Sequence, residues 1–136
     1  MRQWCFLWRS GQRLGMFAGN EPEPVFAATS GLHGTTLVVR ASGELDHCHT
    51  SVLREEMTRA WKSLRAPILI LDLSALTFCD SSGIGELLQA RHQGLNEGVR
   101  LILTGIQGNL ARRLTLAGLI HVFEVFPSVS EALEAA

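Results

Sequence analysis

The stretch Ile68-Leu69-Ile70-Leu71-Asp72-Leu73-Ser74-Ala75-Leu76-Thr77-Phe78-Cys79-Asp80-Ser81-Ser82-Gly83-Ile84-Gly85-Glu86 decides the architecture. It starts behind Pro67 as a short, nearly continuous aliphatic run from Ile68 to Leu73. A strand without alternation has both faces covered, as in a parallel or mixed sheet under helices. From Asp80 the same stretch opens a helix. Asp and Ser are leading N-cap residues, and Ile84, Leu87, Leu88 and Leu95 recur on one face before Gly98 ends the unit. Asp72, alone among aliphatics, needs a hydrogen-bonded position, since an unpaired buried carboxylate is costly.

Working towards the N-terminus, Leu53, Met57, Ala60, Trp61 and Leu64 mark an amphipathic helix over 50–64, with Arg54, Glu55, Arg59 and Lys62 on its other side. Before it, Val25–Thr29 and Thr35–Arg40 read as two strands joined by a turn spanning Gly31 to Gly34, with Gly43-Glu44-Leu45-Asp46 closing the hairpin. Towards the C-terminus, Val99–Thr104 is a further strand. Asn109 to Leu119 carries a helix with Leu110, Leu114 and Ala117 inward, Arg112 and Arg113 outward, and Gly118 as its C-cap. His121–Phe126 is a last strand, and Ser128 with Glu131 forms a capping-box pattern for a last helix. The order β-β-α-β-α-β-α-β-α predicts one α/β domain: a mixed, mostly parallel sheet of about four to five strands with about four helices.

Composition bounds the function. The chain has 136 residues, enough for one domain with a real core. A net charge of -1, with no run of like charges, argues against direct nucleic-acid binding and against a polybasic route to a membrane surface. Cys5, Cys48 and Cys79 are sparse and odd in number, which fits a reducing, cytoplasmic setting. The apolar burst Trp4–Trp8 is too short for a secretory signal and ends at Arg9. Residues 1–23 are expected to be an N-terminal extension, disordered or lying ahead of a true start at Met16; the Glu21-Pro22-Glu23-Pro24 linker then leads into a domain over 24–136.

Three chemistries compete for the polar residues. His47-Cys48-His49 offers three metal ligands but no fourth at a recognised spacing, so no metal is expected. A serine hydrolase would need Ser81 or Ser82 beside His47, His49 or His92, yet Asp80-Ser81-Ser82-Gly83 lacks the first glycine of a nucleophile elbow. Gly94, Gly98, Gly105 and Gly108 match no phosphate-cradling spacing, so no nucleotide cofactor is expected and the chain is not read as an enzyme. There remains a helix N-terminus bearing two hydroxyls, which can cap itself or receive a phosphate.

Three motifs turn that choice into a resemblance. The aliphatic strand followed by Asp80-Ser81-Ser82-Gly83-Ile84-Gly85, the turn Gly43-Glu44-Leu45-Asp46, and Leu114–Leu119 with Phe123, Pro127 and Ala132-Leu133 resemble, in order and spacing, the STAS domains of bacterial anti-sigma factor antagonists. Cys79 departs from the family's more usual Met or other apolar residue. The resemblance implies the STAS fold and Ser81 as a phospho-acceptor. It implies as partners an anti-sigma factor that is an ATP-dependent serine kinase and a metal-dependent serine phosphatase. The unphosphorylated form would bind the anti-sigma factor and so free a sigma factor. Asp46, Asp80, Ser82, Gly83, Gly85, Glu44 and His47 would surround the acceptor as partner-binding residues. The same family also supplies scaffold units of stress-signalling assemblies and accessory subunits of lipid transporters, which need no phospho-switch.

Overall fold

A computed structural model describes residues 25–136; the expected N-terminal extension lies outside them. The elements run β1 (Phe26–His33), β2 (Thr36–Leu45), α1 (Thr50–Leu64), β3 (Ile68–Cys79), α2 (Ser81–Glu97), β4 (Arg100–Thr104), α3 (Gly108–Leu116), β5 (Glu124–Phe126) and α4 (Val129–Ala135). The sheet has the order β1-β2-β3-β4-β5, with β1 antiparallel to β2 and every later neighbour parallel. The expected mixed, mostly parallel sheet is therefore present. Each parallel strand is added on the same side of its predecessor, so crossovers of one hand carry α1, α2 and α3 to one face. Their Leu53, Met57, Leu87 and Leu114 share a core there with Leu37, Val39, Leu71 and Leu103 of the sheet. On the other face α4 covers Ile70 and Ile102 through Ala132. Among the described residues no helix is long and apolar enough to cross a membrane.

Local chemistry moves several expected boundaries. The hairpin turn is the pair Gly34-Thr35, not Gly31 to Gly34: Gly31 pairs with Val38 inside β1, while Gly34 at φ 64° supplies the backbone that a tight two-residue turn needs. β3 runs on to Cys79, six residues beyond the aliphatic run. The cause is Asp72, which is buried. It accepts from the Ser74 N–H at 3.0 Å, the Ser74 hydroxyl at 2.7 Å and Arg40 Nε at 3.1 Å, so the chain bulges without leaving the sheet. The register shifts from Arg40↔Asp72 to Ser42↔Ala75, shifts again from Gly43↔Leu76 to Glu44↔Phe78, and ends at Leu45↔Cys79.

Other expectations are corrected by geometry. Leu95 points to solvent at 64% exposure, because the inward stripe of α2 is Gly83, Glu86, Leu87, Ala90 and Gly94. Ala117 is exposed, since α3 stops at Leu116 and the chain then turns. Gly118 (φ 74°) closes it as expected of a C-terminal glycine, with Gly118 N–H donating to Thr115 O and Leu119 N–H to Leu114 O. β5 keeps only Glu124–Phe126 of the predicted strand. At α4 the Ser128 hydroxyl accepts from the Glu131 N–H at 3.2 Å, the Ser half of the expected capping box.

Candidate functional site at the ends of β2 and β3

The carboxyl ends of parallel strands in an open sheet form a crevice where ligands are usually met. Here β2 ends at Leu45 and β3 at Cys79, side by side, and the Asp80 N–H donates to Leu45 O at 3.3 Å. That bond ties the Asp46 turn to the start of α2. Asp80 is the N-cap: its backbone is extended, its Oδ1 accepts from the Gly83 N–H at 3.0 Å, and its carbonyl accepts from Ile84 N–H at 3.1 Å. Ser81 and Ser82 are the first two residues of the helix, and both are exposed. With Asp80 satisfying one of the free N–H groups, the hydroxyls stand at the positive end of a seventeen-residue helix.

The glycines divide by role. A Cβ on Gly83 would lie 2.6 Å from Cys79 Sγ, 2.8 Å from Leu45 O and 3.0 Å from Leu45 Cγ, so Gly83 faces the interior and lets α2 seat against both strand ends. It is buried, and its part in any partner surface is to set where Ser81 stands. Gly85 is exposed with open space around it. Gly43 sits at φ 94° with a would-be Cβ 2.0 Å from Val25 O. Only glycine allows that approach; between Gly43 and Glu44 the register against β3 also shifts, and the Glu44 side chain is exposed.

Asp46 organises the entry to α1. Its Oδ1 accepts from the Cys48 N–H at 3.0 Å and is 2.7 Å from His49 Nδ1, while its carbonyl accepts from the N–H groups of His49 and Thr50. Partial burial pushes the Asp46 carboxyl up, but hydrogen bonds from His49 and the Cys48 N–H, with the charges of His49 and His47, hold it below its ordinary value. His49 is the N-cap residue without a side-chain capping bond; its ring stacks on Phe26 at 6.0 Å instead. His47 is exposed beside Cys48 Sγ. The side chain that closes this turn is thus the Asp46 carboxylate. Among the described residues no three His, Cys, Asp or Glu side chains cluster as a metal site, and no hydrogen bond joins a histidine to Ser81 or Ser82.

Two features escaped the sequence reading. Glu86 is 5% exposed and receives Arg54 from α1 through Nη2 at 2.6 Å and Nε at 3.2 Å, which locks α1 to α2 just behind the serines. The spacing Gly83-Glu86-Leu87-Ala90 already placed Glu86 in the inward stripe. Between the end of β3 and the start of α3, a cleft of about 340 Å³ opens between Leu76–Cys79 and Gln107–Leu110, walled in part by Phe78. Cys79 lies under the turn: burial, then the Asp80 charge, push its thiol up to about 11 against the pull of Arg113, so it packs as a neutral apolar group.

The family model of the STAS domain matches residues 27–132. The chain belongs to the STAS domain family. A relative named anti-sigma F factor antagonist, from Paenibacillus polymyxa, is 31% identical over 102 residues, 74% of this chain and 86% of that protein. The crystal structure of an anti-sigma factor antagonist from Mycobacterium paratuberculosis superposes with a TM-score of 0.68 at 28% identity, covering 81% of this chain and 92% of that one. SpoIIAA, an anti-sigma factor antagonist in its unphosphorylated form, shares the fold with a TM-score of 0.67 at 24% identity, over 80% of this chain and 95% of its own.

Proposed function

We propose that this STAS domain is an anti-sigma factor antagonist, a regulatory binding protein of the cytoplasm whose partner is an anti-sigma factor with serine-kinase activity. The observation that carries the reading is the Ser81 hydroxyl, exposed at the N-terminus of α2 and fixed beside the Asp46 turn. The name carried by the Paenibacillus relative supports the same class.

In the unphosphorylated state the partner meets neutral hydroxyls of Ser81 and Ser82, the open surface at Gly85, and the acidic rim of Glu44, Asp46 and Asp80, with His47 at its edge. Asp46 keeps Oδ2 for this purpose, since its contacts within the turn fall on Oδ1. Leu76 and exposed Phe78 extend the surface with apolar area. A phosphate on Ser81 adds roughly −1.5 to −2 charges. The helix end tolerates it, so the fold stands. In a closed interface it meets desolvation and the nearby carboxylates of Asp80 and Asp46. A thousandfold loss of affinity needs only about 4 kcal/mol. A metal-dependent serine phosphatase resets the switch.

Binding of the cognate anti-sigma factor to two variants tests the reading. Ser81→Ala retains the affinity of the unmodified protein, and Ser81→Asp loses at least a tenfold factor. Equal affinity of both variants would refute the switch.

A further inference from the structure

The two edges of the sheet are finished differently. β5 is three residues long, carries Glu124 paired with Arg100, and runs into Pro127; short length, charge and proline all discourage another strand. β1 has eight residues, Phe-Ala-Ala-Thr-Ser-Gly-Leu-His, with no Asp, Glu, Lys, Arg or Pro, and among the described residues it pairs on one side only. The Glu44 N–H donates to Val25 O, and the two-residue turn closes on His33 and Thr36, so odd-numbered residues of β1 bond to β2. The N–H and C=O groups of Phe26, Ala28, Ser30 and Leu32 therefore point out along the free edge.

Above that edge lies one stripe of α1. His49 stacks on Phe26, and Glu56 accepts from the Ser30 hydroxyl at 2.7 Å and from Arg59 Nη2 at 2.6 Å. Val52, 40% exposed, continues the stripe. Arg54, on the opposite side of the helix, is paired with Glu86 of α2. The β1 edge is thus roofed by an acid, a base and an apolar residue in one row, a pattern complementary to itself when turned through a two-fold axis.

We propose that β1 pairs with β1 of a second copy of this chain, antiparallel, to give one continuous sheet. His49 over Phe26 and Glu56 over Ser30 set the midpoint of Glu56 and Arg59 above Gly31; with Gly31 on the two-fold axis, Ser30 faces the second copy's Leu32 and Ala28 its Gly34, and the outward N–H and C=O groups of Ser30 and Leu32 find partners. Helix α1 packs over both β1 and β2, so the two α1 axes lie about two strand spacings apart, roughly 10 Å, the normal distance for packed helices. They run antiparallel, which sets Glu56 and Arg59 of one copy against Arg59 and Glu56 of the other. The axis leaves the two Ser81 sites open at opposite ends of the joined sheet.

Sedimentation of the full chain over a concentration series tests this, with thermal melting to verify folding of each variant. The protein is expected to dimerise reversibly. Leu32→Pro removes an outward N–H without touching the β1–β2 ladder, and Arg59→Glu sets four acids together; each is expected to weaken the dimer at least tenfold. The exchange Glu56→Arg with Arg59→Glu restores the complementarity and the dimer. Ser81→Asp leaves the dimer constant unchanged, which keeps this surface distinct from the partner site. A full chain that stays monomeric at every concentration, its edge covered by its own N-terminal residues or by solvent, would overturn the proposal. So would a dimer that neither Leu32→Pro nor Arg59→Glu weakens.

Discussion

Gly83→Ala is the sharpest structural test of how Ser81 is held. The added methyl would meet Cys79 Sγ at 2.6 Å and Leu45 O at 2.8 Å, where carbon contacts settle near 3.5–4.0 Å. One of these neighbours is backbone at the end of β2, held by the sheet, so the start of α2 has to retreat by roughly 1 Å. Overpacking of this kind costs about 1–3 kcal/mol, and stretching the Asp80 N–H bond to Leu45 O costs about 1 kcal/mol more. The better helix propensity of alanine returns about 1 kcal/mol. The net loss is about 2 kcal/mol, or roughly 6–9 °C in Tm for a domain of this size. Gly85→Ala is the control: no atom lies within 4 Å of its Cβ position, so only propensity acts and stability rises by up to about 1 kcal/mol. Urea unfolding followed by circular dichroism reads both. If Gly83→Ala unfolds within about 0.5 kcal/mol of the parent, or if both variants shift the same way, the close seating of α2 on Leu45 and Cys79 is wrong.

Removing Arg54 strands the buried Glu86, so Arg54→Ala is expected to cost about 1–2 kcal/mol, while Glu86→Leu with Arg54→Leu, which removes both charges, stays within about 1 kcal/mol of the parent; urea midpoints decide. The Cys79 thiol is raised from 9.0 to about 11, so the unfolded chain loses its proton first and stability falls as pH rises from 9.0 towards 11; Cys79→Ala flattens that slope in pH-dependent melts. The same burial makes exposed Cys48 far faster than Cys79 in alkylation of the folded protein. Asp46 is depressed, so its contribution is present above the ordinary carboxylate value of 3.8 and is lost as pH falls below it; Asp46→Asn should reduce the acid-induced loss of stability in that range.

The elements that sequence periodicity identifies are those whose faces differ sharply. The run Ile68 to Leu73 is covered on both sides, and Leu53, Met57, Ala60 and Trp61 fall on one side of α1, so both were legible. The second half of β3 was not. Ser74 to Phe78 is mostly exposed, and what keeps it in the sheet is a bulge made by the Asp72 carboxylate, which periodicity does not register. Leu95 and Glu86 exchange the places that hydropathy assigns them: the stripe through Gly83, Leu87 and Ala90 carries the acid inward because Arg54 meets it. At the site, the capping role of Asp80 and the exposure of Ser81 follow from local chemistry alone. That Gly83 faces Cys79, and that Asp46 spends one oxygen on its own turn, depend on how the ends of β2 and β3 meet.

The decisive property of the protein is what a phosphate at Ser81 does to partner binding. Titration calorimetry of the cognate anti-sigma factor against the protein, before and after stoichiometric phosphorylation mapped to Ser81 by peptide mass, measures it directly. Binding is expected to be tight before and about a thousandfold weaker after, with unchanged thermal unfolding of the domain. Equal binding of the two forms, or phosphate that maps to another residue, would contradict the switch.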